Sequence, residues 1–207
     1  ENLTNDISNS TGNDLVNHKT FVMAGDGDLM EGISQEAISL AGHLKLKKLT
    51  LLFDSNNISI DGPIAKTDST NQIKRFEASG WNVTEINGHN TKEIFKAIKD
   101  SNSSDKPTMI LCKTIIGYGS PNKQGTASVH GSPLGPDEYN LTRKELGIKY
   151  SKFQIPAEIL KMWRSVGIRG QKQKKIWADK LQKSSPSVKK DFKNQIEKFI
   201  HPSVFAK

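Results

Sequence analysis

Four short apolar runs, separated by amphipathic stretches, constrain this chain most. "KTFVMA" (19–24), "KLTLLFD" (48–54), "WNVTEI" (81–86) and "PTMILCKT" (107–114) read as strands. Between them "EGISQEAISLAGHLK" (31–45), "STNQIKRFEASG" (69–80) and "NTKEIFKAIKDS" (90–101) have helical periodicity. Ile33, Ala37, Leu40, Ala41 and Leu44 recur at the 3.6-residue period and are expected on one packed face. Continuous apolar strands alternating with helices specify an α/β fold, a mostly parallel sheet covered by helices on both faces. After it, 137–146, 156–182 and 186–200 read as helices only. Ile155, Ile159, Met162 and Trp163 are expected to pack, as are Trp177 and Phe192. The expected organisation is a loop or frayed end over 1–17, an α/β domain over 18–150 and a helical, basic extension over 151–207.

Charge follows the same division. Residues 1–142 hold 13 basic and 17 acidic side chains, and residues 143–207 hold 17 and 5, which gives the net +8. The tail's lysines fall at helical spacing, without arginine clusters or interleaved aromatics, so a solvated helix face is expected and not a nucleic-acid surface. One cysteine, Cys112, excludes an internal disulfide and fits a reducing, cytoplasmic compartment. No apolar run approaches the roughly 20 residues of a membrane span. The first residue is Glu1, which fits a trimmed or processed sequence.

Asp26 stands between Gly25 and Gly27 where the first strand ends. Acidic residues are poor strand formers, and glycine gives up packing there. Asn56 follows the second strand 30 positions later, about one βαβ unit away. If the two strands are neighbours, both side chains reach the crevice outside the carboxyl ends, where open sheets bind ligands. A carboxylate and an amide oxygen are hard donors that suit Mg²⁺, and also Ca²⁺. Gly27 leaves space for a phosphate near a helix N-terminus. A GDG turn that only caps a helix, with Asn56-Asn57 as another turn, is the alternative. Residues 115–136, "IIGYGSPNKQGTASVHGSPLGP", form a long Gly-, Ser- and Pro-rich loop of the kind that is functional or disordered.

GDG followed by Asn-Asn resembles the thiamine diphosphate motif. With "GDGDLMEGISQEAISLAGHLKLKKL", "SIDG", "RFEASGW", "KPTMILCKTIIGYGSPNK" and "VHGSPLG", the chain resembles bacterial transketolases from about residue 14 onward, most strongly over 19–150. The resemblance implies an incomplete thiamine diphosphate-binding fold with thiamine diphosphate and Mg²⁺ as cofactors. It implies Asp26, Asn56 and the Ile58 carbonyl as metal ligands. Gly25, Asp26, Gly27, Asn56 and His130 would face the cofactor, and His130 would also act on protons of the substrate. Glu31 and Asp54 match acidic positions and are assigned no catalytic role. The implied reaction moves a two-carbon ketol unit between sugar phosphates, ketose to aldose, and the implied complete site needs a homodimer or a complementary chain. Ala127, Ser55 and Asp28 depart from the family pattern and change polarity around the site. The family's upstream histidines, its "GPLGQG"-like segment and its pyrimidine-binding domain have no counterpart here, so the chain alone is expected to be inactive. A subunit of another thiamine diphosphate enzyme and a truncated remnant are the rival expectations.

Overall fold

The structure is a computed structural model and describes residues 15–197. Two compact units are present. One is Lys19–Lys149; the other comprises the described residues up to His18 and those from Tyr150 onward.

The first unit is built on a four-stranded parallel sheet in the order β1-β2-β6-β5. The strands are β1 (Thr20–Gly25), β2 (Leu49–Ser55), β5 (Asn82–Asn87) and β6 (Thr108–Lys113), and β3 (Ile58–Ser59) with β4 (Gly62–Pro63) forms a small antiparallel hairpin. The central strands β2 and β6 are mostly buried and are nearly continuous runs of apolar side chains, whereas Phe21, Val22 and Met23 of the edge strand β1 are exposed. On one face Leu51, Phe53, Met109 and Leu111 pack with Leu29, Ile38, Ala41, Phe76 and Trp81. On the other, Ile110 packs with Ile86 and Ala97.

Helices α1 (Asp26–Met30) and α2 (Gly32–His43) follow β1, α3 (Gln72–Ala78) precedes β5, α4 (Thr91–Ser101) joins β5 to β6, and α5 (Pro136–Glu145) closes the unit. The single helix expected over 31–45 is thus preceded by another that begins at Asp26. The break lies at Glu31, whose backbone is extended (ψ 139°). Ser34 Oγ and Gln35 Nε2 donate to the carbonyls of Asp28 and Leu29 (2.6 and 2.8 Å), so the end of α1 is satisfied by side chains of α2.

The packed stripe of α2 also differs from the expected one. Ile38, Ala41 and Gly42 are buried, whereas Ile33 (72% exposed), Leu40 and Leu44 face outward. Gly42 explains the rotation. A Cβ at that position would stand 1.7 Å from the Ser79 carbonyl oxygen, so the helix approaches the end of α3 along its smallest residues. Trp81 Nε1 then donates to the Ile38 carbonyl at 2.9 Å and fixes that approach.

The second unit contains α6 (Ala157–Lys183) and α7 (Pro186–Ile196). Trp177 donates from Nε1 to the Leu15 carbonyl (2.9 Å), and its ring lies 5.7 Å from that of Phe192. Ile155, Ile159, Met162 and Trp163, expected to pack, are exposed. The lysines 172, 174, 175, 180 and 183 are exposed as well. Part of the helix expected over 186–200 lies outside the described residues. Among the described residues, no helix is long and apolar enough to cross a membrane.

Candidate functional site

β1 and β2 are hydrogen-bonded neighbours with Gly25 opposite Asp54. Their carboxyl ends therefore lie side by side. Asp26 begins α1 directly after β1, and its Oδ2 accepts the Asn57 backbone N–H at 3.1 Å. The structure thus brings Asp26 to the Asn56–Ile58 turn, across 31 residues of sequence.

That turn is built by Asn57, which adopts φ 61°, a left-handed conformation that asparagine tolerates better than most residues. It lies between β2 and β3. Asn56 Oδ1 accepts the Ile58 N–H at 3.0 Å, and Asn56 Nδ2 donates to Asp54 Oδ2 at 3.3 Å. The Asn57 carbonyl accepts from Ile64 N–H at 3.0 Å. Successive carbonyls of an extended chain point to opposite sides, so the Ile58 carbonyl is turned away from β4.

Asp26 is held above the ordinary aspartate range, first by burial and then by repulsion from Asp54 and Asp68; the N–H groups of Asn57 and Asn56 oppose the shift. Carboxylates crowded in this way favour a cation. A cavity of about 450 Å³ adjoins Asp26, lined by Asn57, Asp68, Thr70 and Gln72 over Phe53 and Leu111. Gln72 Oε1 is buried without a hydrogen-bond partner among the described residues.

The glycines play different parts. The Gly25 N–H donates to Asp28 Oδ2 at 2.8 Å, so Asp28, a departure from the family pattern, closes the start of α1. A Cβ at Gly27 would meet nothing within 4 Å, which leaves that position open beside Asp26. The donor set, one carboxylate, one amide oxygen and one backbone carbonyl, has the chemistry that Mg²⁺ takes when phosphates and water complete its shell. The residues present therefore fit a metal–diphosphate group.

His130 lies on the loop that follows β6, after the 3₁₀ turn Ala127–Val129, and its N–H donates to the Ala127 carbonyl at 3.0 Å. Among the described residues, no side-chain hydrogen bond joins it to Asp26 or Asn56. The loop is ordered by groups that sequence reasoning passed over. Glu138, in the first turn of α5, accepts from the Ser120 hydroxyl, the Asn122 N–H (2.8 Å) and Asn122 Nδ2 (2.9 Å). These bonds, with the Ser120 hydroxyl foremost, hold its carboxyl below the ordinary glutamate range. His89 Nε2 accepts the Ile115 N–H at 2.9 Å, and its ring stacks on Tyr118 with centroids 4.0 Å apart. The only sequence signals for these contacts were a first-turn acid after Gly-Pro and a histidine just beyond a strand.

Residues 1–200 match the family described as transketolase, thiamine diphosphate binding domain. The transketolase of Rhodobacter capsulatus is 43% identical over 193 residues, which cover 93% of this chain and 29% of that protein. The crystal structure of Campylobacter jejuni transketolase superposes with a TM-score of 0.84 at 38% identity, covering 92% of this chain and 30% of the other. A Pichia stipitis transketolase variant in complex with fructose 6-phosphate superposes with a TM-score of 0.86 at 31% identity, covering 93% and 29%. The chain thus spans less than a third of the length of the relatives it matches.

Proposed function

This chain belongs to the transketolase family, at its thiamine diphosphate-binding domain, and from that premise we propose that it supplies the metal–diphosphate part of a ketol-transfer site. The supporting observation is the hydrogen bond from Asn57 to Asp26, which joins the carboxyl ends of β1 and β2 into one turn. Asp26, Asn56 and the Ile58 carbonyl would hold Mg²⁺; Ca²⁺ suits the same donors. Gly25 and Gly27 would lie along the diphosphate. Residues 18–150 would carry this part of the site, and the described residues from 151 onward would serve as a helical, basic linker.

The proposed reaction transfers a two-carbon unit from a ketose phosphate to an aldose phosphate. Thiamine diphosphate supplies carbanion stabilisation when bound. The chain's own residues bind, orient and move protons. Asp26 and Asn56 would hold the metal. His130, on the loop that follows β6, would exchange a proton with a substrate hydroxyl, which a neutral imidazole does near neutral pH. The fructose 6-phosphate of the Pichia stipitis complex supports the sugar-phosphate class. A second subunit, identical or complementary, would complete the site, and a cytoplasmic setting suits phosphorylated sugars.

The test is binding of thiamine diphosphate to the purified chain, followed by intrinsic fluorescence with and without Mg²⁺. Saturable binding that requires Mg²⁺ and disappears in Asp26→Ala is expected. Binding indifferent to both would overturn the reading.

A further inference from the structure

The hydrogen bonds at the carboxyl end of the sheet run from strand to strand and meet at Asp54. Its Oδ2 accepts Asn56 Nδ2 at 3.3 Å, and its Oδ1 accepts the Thr114 hydroxyl. Thr114 follows β6 directly, and its own N–H reaches the Ser55 carbonyl at 3.3 Å. Its methyl is backed by Gly88, where a Cβ would come within 2.5 Å of Thr114 Cγ2. Any larger residue at 88 would push the threonine from its place. The ends of β2 and β6 thus meet at one carboxylate, and Gly88 after β5 backs the threonine that reaches it.

What that carboxylate controls is the direction of an amide. Rotating the Asn56 side chain by a half turn about its last bond exchanges oxygen for NH₂ with little change of shape. Only the oxygen can ligate a cation. A carboxylate accepts hydrogen bonds and cannot donate them when ionised, so Asp54 accepts only the NH₂ end. Oδ1 is then directed to the Asn57–Ile58 turn, on which Asp26 also closes. There the Ile58 N–H occupies one of its two lone-pair directions, and no other hydrogen bond to Oδ1 is made by the described residues.

We propose that Asp54 is the positioning residue of the metal centre: backed by Thr114 and Gly88, it sets the Asn56 amide with its oxygen toward the ion. The inference rests on the metal–diphosphate reading above and assigns Asp54 no contact with substrate or cofactor. It accounts for an aspartate at the end of a buried strand, two residues before the ligand it serves.

The test uses the ¹⁵N-labelled chain and two readouts. The first is the side-chain NH₂ pair of Asn56 in the metal-free protein, assigned by its loss in Asn56→Asp. The second is the Mg²⁺ concentration that half-saturates thiamine diphosphate binding. Asp54→Leu should move one Asn56 amide proton upfield and weaken Mg²⁺ binding roughly 10- to 100-fold, as loss of a supporting group does in other metal sites. Thr114→Val removes only the hydroxyl and should move both readouts in the same direction by less. Should Asp54→Leu fail to fold, Thr114→Val carries the test. Asp54→Asn keeps an oxygen for Asn56 and an NH₂ for the Thr114 hydroxyl, so it should retain most of the affinity although a charge is gone. Melting in EDTA checks that each variant is folded.

An unmoved Asn56 signal in the folded variants overturns the proposal. So does an Asp54→Asn as weak as Asp54→Leu, because charge and not direction would then be the contribution. A wild-type chain that shows the amide signature but takes up no Mg²⁺–thiamine diphosphate sinks the metal reading and leaves the hold of Asp54 on Asn56 standing. Uptake with an unmoved signature in Asp54→Leu sinks this inference alone.

Discussion

Helices α3 and α6 show what periodicity does and does not decide. α3 is seven residues long and buries Phe76 completely, edge-on to Trp81 at 5.1 Å, within the core that includes Phe53 and Met109. α6 is 27 residues long and has no buried residue; Trp163 is 73% exposed. Both have an amphipathic pattern. The short helix gains its stability from the sheet it covers, which is the usual source of helix stability in proteins. The long one draws on propensity and on the contacts of Trp177 with Leu15 and Phe192. A periodic pattern therefore names the face of a helix but not whether anything covers it.

The sharpest way to break this comparison is to truncate one aromatic ring in each helix. Phe76→Ala should destabilise the chain by about 3–5 kcal/mol, the usual loss for a buried phenylalanine. Trp163→Ala should stay within about 0.5 kcal/mol, as exposed substitutions do. Urea denaturation of both variants measures the contrast. A Trp163 variant as damaged as the Phe76 variant would mean that α6 is covered in solution.

Gly42→Ala sharpens it from the packed side. The new methyl would stand 1.7 Å from the Ser79 carbonyl oxygen and 3.3 Å from Trp81 Cδ1, so backbone must move. About 1–3 kcal/mol of destabilisation is expected. The same change at Gly167 or Gly170 in α6 meets nothing within 4 Å and should stabilise by roughly 0.5–1 kcal/mol through helix propensity. Opposite signs from one chemical change would confirm the difference between the two surroundings.

The loop over 115–136 sits between these extremes. Glu138→Gln leaves one acceptor oxygen where three donors converge and sets an NH₂ against Asn122 Nδ2. The melting temperature should fall by a few degrees. Hydrogen exchange should quicken at Gly119 and Gly125 while β2 and β6 amides keep their protection. The pH dependence has a definite sign. The carboxyl of Glu138 is depressed on folding, so its contribution is present above the ordinary glutamate range and is lost as pH falls through the folded value. The protection factors of both glycines in wild type at acid pH should then resemble those of the variant at neutral pH. Unchanged exchange at both glycines would show that the loop is held elsewhere.

The four strands were legible in the sequence because each is a short run rich in apolar or β-branched residues, bounded by turn or helix signals, as strands of a parallel sheet are. That Asp26 meets the Asn56–Ile58 turn was legible because a strand that ends in Gly-Asp-Gly or Asp-Ser-Asn-Asn breaks its own pattern. What stayed hidden depends on contacts across the sheet. The stripe of α2 turns on how close Gly42 comes to Ser79, which no periodicity records. Asp54 belonged to a strand end by its spacing, yet its partners, Asn56 and Thr114, lie 2 and 60 residues away, and only the β2–β6 pairing joins them. Glu138 had the appearance of a first-turn acid that favours a helix N-terminus. Its bonds to Ser120 and Asn122 exist only because the loop folds back over it. The exposure of Trp163 was illegible for the reason drawn from α3 and α6.

The smallest effect lies at Asp26, where packing and chemistry oppose each other. Burial and the neighbouring Asp54 and Asp68 raise its carboxyl above the ordinary range, so the folded chain binds that proton more tightly than the unfolded chain does. A raised group contributes stability below the ordinary aspartate range, and the contribution is lost as pH rises through the folded value. At neutral pH the ionised carboxylate therefore weighs against the metal-free fold. Asp26→Asn removes the charge and keeps an oxygen for the Asn57 N–H. In EDTA at pH 7 the variant should melt about 1–3 °C above wild type, a shift of less than about 1 kcal/mol because solvent screens this half-exposed group. The gap should narrow as pH falls through the aspartate range, because protonated aspartic acid resembles asparagine. Mg²⁺ with thiamine diphosphate should raise the melting temperature of wild type only and reverse the order. A variant less stable than wild type in EDTA at pH 7 would show that the bond to Asn57 outweighs the repulsion, and a gap independent of pH would show that Asp26 carries no strain for a metal to relieve.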